Sequence, residues 1–255
     1  MLKSRVIPCL LLDDNRLVKT CKFKNAKYVG DPINAIRVFN EKEVDELILI
    51  DISATKSGKG PNYELIEEVA GECFMPLCYG GGITTFEQAK RIFSSGVEKI
   101  SVQSCHFSNP EVVRKIVSEY GSQSVVASID LKRNFFGKYK IYDYKNKKYK
   151  SESWQDYVIK LQDYGVGELL INVVDNDGMM RGMALEVIKE ASDLLKIPLV
   201  IVGGVGCLED IKNGVLSGAS AIGVGSYFVF HGPHKAVLIS YPNYDELEEL
   251  LNEDK

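Results

Sequence analysis

Tryptophan occurs once in this 255-residue chain, histidine three times and proline eight times, and none of the six cysteines stands in a C-x-x-C pair. His106, His231 and His234 have no carboxylate or cysteine partner at metal-ligand spacing, so no metal and no cofactor is expected. Cys9, Cys21, Cys73, Cys78, Cys105 and Cys207 read as free thiols, which points to a reducing, cytoplasmic setting rather than a disulfide framework. Long apolar runs are missing too. No stretch approaches the ~18 residues of a membrane span, and VIPCLLL from Val6 is too short for a signal core and runs into Asp13 and Asp14. The chain is expected to be neither secreted nor membrane-spanning. Positive charge is not in excess: 31 Lys and Arg stand against 35 Asp and Glu, a formal charge of −4, which argues against a nucleic-acid partner. A Walker-type loop and a Ser-His-Asp pattern are also absent, which disfavours nucleotide hydrolysis and covalent hydrolysis.

What is present is an ordinary globular composition, 45% hydrophobic and 26% charged, long enough for one large core. Eight short apolar runs recur: VIPCLLL from Val6, LILID from Leu47, PLCYG from Pro76, KISVQ from Lys99, VVASID from Val125, LLINVV from Leu169, PLVIVGG from Pro198 and AIGVG from Ala221. Continuous rather than alternating hydrophobicity is what parallel strands covered on both faces require. Helical segments lie between them, with punctuation at Asp31-Pro32 and Asn109-Pro110, capping-box spacing at Thr84 and Glu87, and terminal glycines at Gly96, Gly121 and Gly218. Strand and helix alternating eight times predict a single closed (β/α)₈ barrel over residues 1–255, with an open doubly wound sheet as the alternative. Residues 131–151, where FFGKYKIYDYKNKKYKS alternates aromatic and basic residues, form the only irregular stretch in this reading. They predict a hairpin after the fifth strand, either a solvated flap or one that closes over substrate.

The chain also repeats itself. MPLCYGGGITTFEQAKRIFSSGVEKISVQS from Met75 aligns with IPLVIVGGVGCLEDIKNGVLSGASAIGVGS from Ile197 at a constant offset of 122, matching Pro76 with Pro198, Gly81 with Gly203, Gly82 with Gly204 and Ser104 with Ser226. Such an offset over thirty positions reads as two duplicated half-barrels, about 1–122 and 123–255.

In a barrel the chemistry sits where strands end. Gly81 and Gly82 after the third strand, and Gly203 and Gly204 after the seventh, leave backbone N–H groups uncovered just before a helix N-terminus, a setting that favours anions. Gln103-Ser104 and Gly225-Ser226 end the neighbouring strands and add hydroxyls and amides. Each half therefore offers one phosphate cradle, and together they fit a small substrate carrying two phosphates. Asp177-Gly178 would frame the second cradle through its backbone, because a carboxylate repels phosphate. Asp51, Asp130 and Asp175 close strands 2, 5 and 6 and are the acid/base candidates, Asp130 foremost because it ends the strand opposite the first. For each, a loop or cap hydrogen bond is the bland alternative. Lys19, in the long loop after the first strand, would clamp a phosphate or be plain surface charge. At the other pole Arg5, Glu46, Lys99 and Glu168 immediately precede strands 1, 2, 4 and 6 and would form a ring across the barrel bottom, either a stabilising network or a gate.

Together with VKT around Lys19, GDP at Gly30–Pro32, ELILIDI at Glu46, YGGGI at Tyr79, SIDLKR at Ser128, DNDG at Asp175 and VGGVG at Val202, these residues resemble the cyclase subunit of imidazole glycerol phosphate synthase, from Met1 to about Phe230. The resemblance implies a glutaminase partner on the N-terminal barrel face, ammonia released there, and passage up the barrel to the bound substrate. It makes Arg5, Glu46, Lys99 and Glu168 the ammonia gate and Asp130 the catalytic base.

The chain departs from that family in two places. The family's first strand carries C-L-D with the aspartate as partner acid, whereas this chain reads Cys9-Leu10-Leu11. Losing a general acid or base costs about 10² to 10⁴ in rate, and Asp13, a rung farther out, is a poor replacement. The loss also argues against the related phosphoribosyl isomerase, which needs two strand-end aspartates. The tail FVFHGPHKAVLISYPNYDELEELL from Phe228 resembles a paralogous branch associated with amidating sugars of bacterial surface glycans, in which ammonia passes on to a separate sugar-modifying enzyme. The sequence therefore favours a sugar-amidation subunit. A histidine-pathway cyclase and a non-catalytic barrel that activates a glutaminase are the alternatives.

Overall fold

The computed structural model describes residues 4–252. Eight parallel strands, β1 (Arg5–Asp13), β2 (Leu47–Asp51), β3 (Leu77–Gly80), β4 (Lys99–Val102), β5 (Val125–Arg133), β6 (Glu168–Val173), β7 (Leu199–Val202) and β8 (Ala221–Val224), pair in sequence order. β8 pairs with β1, so no edge is left and the sheet closes as the expected (β/α)₈ barrel. The helices that follow the strands are α1 (Pro32–Glu41), α2 (Tyr63–Glu72), α3 (Phe86–Ser94), α4 (Pro110–Tyr120), α5 (Trp154–Asp163), α6 (Leu185–Leu194), α7 (Leu208–Leu216) and α8 (Tyr244–Asn252). Among the described residues, no helix is long and apolar enough to cross a membrane.

Two apolar layers explain why the strands read as unbroken hydrophobic runs. Outward residues such as Leu10, Leu49, Ile100 and Ile171 are buried against the helices. Inward residues Ile7, Cys9, Ile48, Cys78, Val126, Leu170, Val200 and Ala221 fill the barrel interior. Both faces exclude water, so alternation has no function here.

Helix starts follow local chemistry. Asp31 accepts from the Asn34 N–H and Pro32 opens α1, as expected. The capping box of α3 lies one residue later than expected: Thr85, not Thr84, accepts from Gln88, whose side chain reaches back to the backbone at residues 84 and 85. Gln88 stands three residues after Thr85 and its neutral amide oxygen can accept as a Glu carboxylate would, whereas Glu87 occupies the acidic first turn. Asn109 precedes α4 but makes no side-chain cap.

The 122-residue offset extends to the backbone. Gly81 and Gly203 share positive φ of 126° and 109°, and Gln103 and Gly225 both end their strands in an irregular conformation (φ −127°, ψ −69°; φ −99°, ψ −90°). Short helical turns then begin at Ser104 and Ser226. Even the side-chain ties recur: Glu98 accepts from Leu77 N–H at 2.8 Å, and Ser220, 122 residues on, accepts from Leu199 N–H at 3.2 Å.

Residues 131–151 are not the only irregular excursion. β5 runs on into the expected hairpin with strands Tyr139–Asp143 and Lys148–Tyr149, but β1 also runs into a hairpin, Arg16–Cys21 with Lys24–Gly30. The positive φ of Lys22, Phe23 and Asn25, without a glycine among them, hid that turn from the sequence. The two hairpins rise from opposite strands and meet where Phe23 and Tyr144 pack edge-to-face, 5.5 Å between centroids, with the Tyr144 hydroxyl donating to Phe23 O.

Candidate active site

At the N-terminal pole, the inward parity of Arg5, Glu46, Lys99 and Glu168 brings all four together. Arg5 bonds Glu46 through Nη1 and lies 3.0 Å from Glu168 through Nη2, while Lys99 Nζ lies 3.0 Å from both carboxylates. Each cation thus touches both acids in a closed ring. Glu46 is the most enclosed, with its side chain 4% exposed. Burial lowers the pKa of Arg5 and Lys99, but Glu46 and Glu168 outweigh it, so both cations are held above their ordinary values. Both cations stay charged across the physiological range.

At the C-terminal mouth, Asp130 faces inward on β5, 8% exposed, and receives a 2.6 Å hydrogen bond from Gln103 Nε2. Burial pushes its carboxyl up to about 7; the Gln103 bond lowers it, and the carboxylates of Asp177 and Asp143 add to the rise. A carboxyl near neutrality can take or give a proton, which is what acid/base work at pH 7 requires. Leu11 occupies the inward top position of β1, beyond Ile7 and Cys9, and presents no proton-carrying group. Asp13 stands where β1 turns into its hairpin, in register with Arg16.

Lys19 is not surface charge. Its side chain lies inside the mouth, 4% exposed, with Nζ donating to Cys9 O and lying 3.1 Å from where a Cβ on Gly225 would stand. Burial lowers its pKa, only partly offset by Cys9 and Asp177. An ammonium held against one carbonyl in a dry mouth is a cation with no carboxylate bonded to it.

A small cavity opens beside it. Asp177, Gly178, Gly203, Gly204, Gly225 and Ser226 line one cavity, together with Met180 and Val205. Gly204 is obligatory there: its φ is +106°, and a Cβ would fall 2.1 Å from Gly182 O. The Asp177 carboxylate is engaged by the β1 hairpin, accepting from Thr20 Oγ1 at 2.9 Å and from Phe23 N–H at 3.3 Å. Burial still raises its pKa against those two hydrogen bonds.

The first half differs. Gly81 is packed so closely on the Asp51 backbone that a Cβ would lie 2.4 Å from its carbonyl, and the Gly82 N–H already donates to Thr55 Oγ1 at 3.2 Å. The Gln103 side chain serves Asp130, which leaves its backbone and Ser104 at the cradle. Asp51 caps the turn Ala54–Ser57, accepting from Ser53 N–H, Ser53 Oγ and Ala54 N–H. Asp175 accepts from Arg133 N–H at 2.7 Å and pins the β5 hairpin. Both carboxylates thus bond cap and loop groups, and inward parity on β2 and β6 falls one residue away from them.

Sequence reasoning missed Asn172, the inward residue at the top of β6 in register with Asp130 and Val202. A signal existed: it is the one polar residue in LLINVV, at the parity of Glu168 and Leu170. His106 is a core residue, bonded to Tyr157 and Ser128 O at 2.8 Å each, and burial lowers its pKa to about 4.

A closed barrel with an ion-pair ring under one pole and a tuned carboxyl in the other mouth is the architecture of a barrel enzyme subunit. The chain belongs to the family of histidine biosynthesis proteins, which it matches over residues 5–234. Within that family it is similar to proteins that carry the provisional name imidazole glycerol phosphate synthase subunit. The hisF2 protein of Pseudomonas aeruginosa is 49% identical over 249 residues, covering 97% of this chain and 99% of the relative. The HisF protein of Leptospira borgpetersenii is 48% identical over 253 residues, covering 98% and 100%. The hisF2 protein of Campylobacter jejuni is 40% identical over 231 residues, 91% of each.

Proposed function

We propose that this chain is the synthase-type subunit of a glutamine-dependent complex, which admits ammonia at its N-terminal pole and conducts it up the barrel for amidation of a sugar in surface-glycan synthesis. A glutaminase docks below the ring of Arg5, Glu46, Lys99 and Glu168. Opening of that ring admits neutral ammonia into the apolar interior around Ile7, Ile48, Val126 and Leu170, where ammonium is excluded by its desolvation cost. A diphosphorylated ligand sits across the mouth, one phosphate on Gly203, Gly204, Gly225 and Ser226 beside Lys19, the other on Gly81, Gly82 and Ser104. Where ammonia attacks an acceptor in this mouth, Asp130 takes the proton that the nitrogen sheds once the new C–N bond has formed.

The observation that carries the reading is Leu11. The ion-pair ring, the raised Asp130 carboxyl and the second cavity support this reading, while the partner acid that the family uses for cyclisation is replaced here by the alkyl group of Leu11. The histidine-pathway reaction is therefore expected to be crippled, and the ammonia goes to another acceptor, handed to a sugar-modifying enzyme at the mouth. The test is to incubate the purified protein with the cyclase family's diphosphorylated substrate and ammonium salt. Negligible turnover is expected, and Leu11→Asp is expected to raise it by about 10² or more. Robust turnover by the unaltered chain defeats the proposal in favour of an authentic cyclase. A barrel that only activates a glutaminase would leave glutamine-derived nitrogen transfer to the sugar insensitive to Lys99→Glu.

A further inference from the structure

The turn Asn134–Gly137, at the apex of the β5 hairpin, carries two phenylalanines that the fold does not use. Phe135 is 97% exposed and Phe136 81%, and the two rings pack on each other edge-to-face, 5.7 Å apart. The turn needs neither of them. Asn134 shapes it: its carbonyl accepts from Gly137 N–H at 3.0 Å, its N–H donates to Lys138 O at 2.9 Å, and its Oδ1 accepts from Phe136 N–H and Lys138 N–H at 3.0 Å each. Neither phenylalanine has positive φ, and most residue types are tolerated at the centre of such a turn. Two bare aromatic rings on a fixed backbone are therefore an apolar surface for something outside the chain.

The charge around the tip says what that something is. The hairpins after β1 and β5, residues 16–30 and 131–150, hold thirteen of the chain's 31 Lys and Arg but one of its 35 Asp and Glu. That one, Asp143, already accepts from Asn146 and pairs with Lys150 at 3.3 Å. Lys138, Lys145, Lys147 and Lys148 are exposed and make no ion pair among the described residues. Because the hairpins touch through Phe23 and Tyr144, these charges form one basic face on a chain of net charge −4. Its complement is an anionic surface. Protein interfaces enrich Arg and deplete Lys, whereas lysine stems around protruding rings suit the headgroup layer of a bilayer: rings enter the acyl boundary while ammoniums stay with acidic headgroups. Arg133 and Tyr139, which flank the turn, both bond Glu186 in the first turn of α6, so the tip stands on the outer rim.

We propose that the β5 hairpin is a peripheral membrane anchor: Phe135 and Phe136 enter the surface of a bilayer containing acidic phospholipid, and the lysines of the two hairpins bind its headgroups. The C-terminal rim of the barrel is thereby turned towards that surface. This is contact with one leaflet, not a span, and it does not depend on what the barrel conducts or binds. Attachment is reversible, since two shallow rings bury less apolar surface than a single fatty-acyl chain, itself a marginal anchor.

The test is co-sedimentation of the full chain with vesicles of phosphatidylcholine alone, or of phosphatidylcholine and phosphatidylglycerol in equal parts. Binding is expected to the mixed vesicles only, and it should weaken as salt is raised. Phe135→Ser with Phe136→Ser should weaken it about tenfold, and Lys145→Glu with Lys148→Glu about thirtyfold. Both pairs should leave Tm unchanged, because the altered side chains are exposed. Phe135→Trp reads insertion directly: Trp154, the chain's one tryptophan, is buried, so a blue shift of emission on adding mixed vesicles reports the tip. No binding to mixed vesicles, binding that the serine pair leaves intact, or emission that does not move overturns the anchor and leaves the tip to a protein partner. Equal binding to both kinds of vesicle overturns the role given to the lysines and with it the choice of an anionic surface.

Discussion

Asp130→Asn should make the protein more stable above neutral pH and leave it nearly unchanged in acid. In the unfolded chain this carboxyl ionises near 3.8; in the folded barrel burial moves it to about 7. Between those values the folded state holds a proton that the unfolded state has lost, so stability falls as pH rises through the window and the full penalty applies above 7. Each tenfold change in the ionisation constant is worth about 1.4 kcal/mol, so the penalty is on the order of 4 kcal/mol. For a domain of this size that corresponds to roughly 10 °C in Tm. Asparagine keeps the shape and can still accept from Gln103 Nε2 but carries no titrating proton. The measurement is Tm of both proteins from pH 4.5 to 8.5. His106, held near 4, drives stability the opposite way as pH falls below 6.5. The difference between the two curves is therefore the readout, because His106 cancels from it. The difference should be small at pH 4.5 and grow steadily towards pH 8, with the asparagine variant the more stable. A difference that stays flat with pH would refute the claim that a dry mouth raises this carboxyl.

Lys99→Met removes one of two cations from the polar ring and leaves Glu46 and Glu168 to share Arg5 alone; a loss of about 3 kcal/mol in urea unfolding is expected, and an unshifted midpoint would show the ring to be energetically idle. Lys19→Met should raise Tm in phosphate-free buffer, since an ammonium buried against one carbonyl is replaced by hydrocarbon, and should remove most of the Tm increase that added phosphate gives the unaltered chain. An unchanged response to phosphate would separate Lys19 from anion binding.

The barrel was legible because doubly buried parallel strands leave unbroken apolar runs, and all eight fall within a residue or two of their observed starts. The ring was legible because a charge immediately before such a run, at inward parity, has nowhere else to go. Parity also shows where the structure sets the other two carboxylates apart. Asp51 ends β2 and Asp175 lies two residues past β6, both out of phase with the inward Ile50 and Asn172, and their carboxylates accept from loop and hairpin backbone. Counting alternate residues from Ile48 and Leu170 would have found this. The Arg16–Gly30 hairpin could not be found that way, because its turn relies on non-glycine residues at positive φ and its register on contacts with Asp177 far along the chain. Nor does the repeat reveal that the halves are furnished differently, since Thr55 comes from a loop with no counterpart in the matched segments.

A scaffold with internal twofold repetition ought to accept a two-ended ligand in either direction. The hairpin after β1 removes that freedom: it leans across to Asp177, inserts Lys19 beside Gly225, and touches the opposite hairpin through Phe23, so one end of the mouth is roofed and cationic. Polarity is thus imposed from above by an appendage rather than by the strands beneath, and redesigning that appendage would reverse or erase the sense in which a ligand is read without disturbing the barrel.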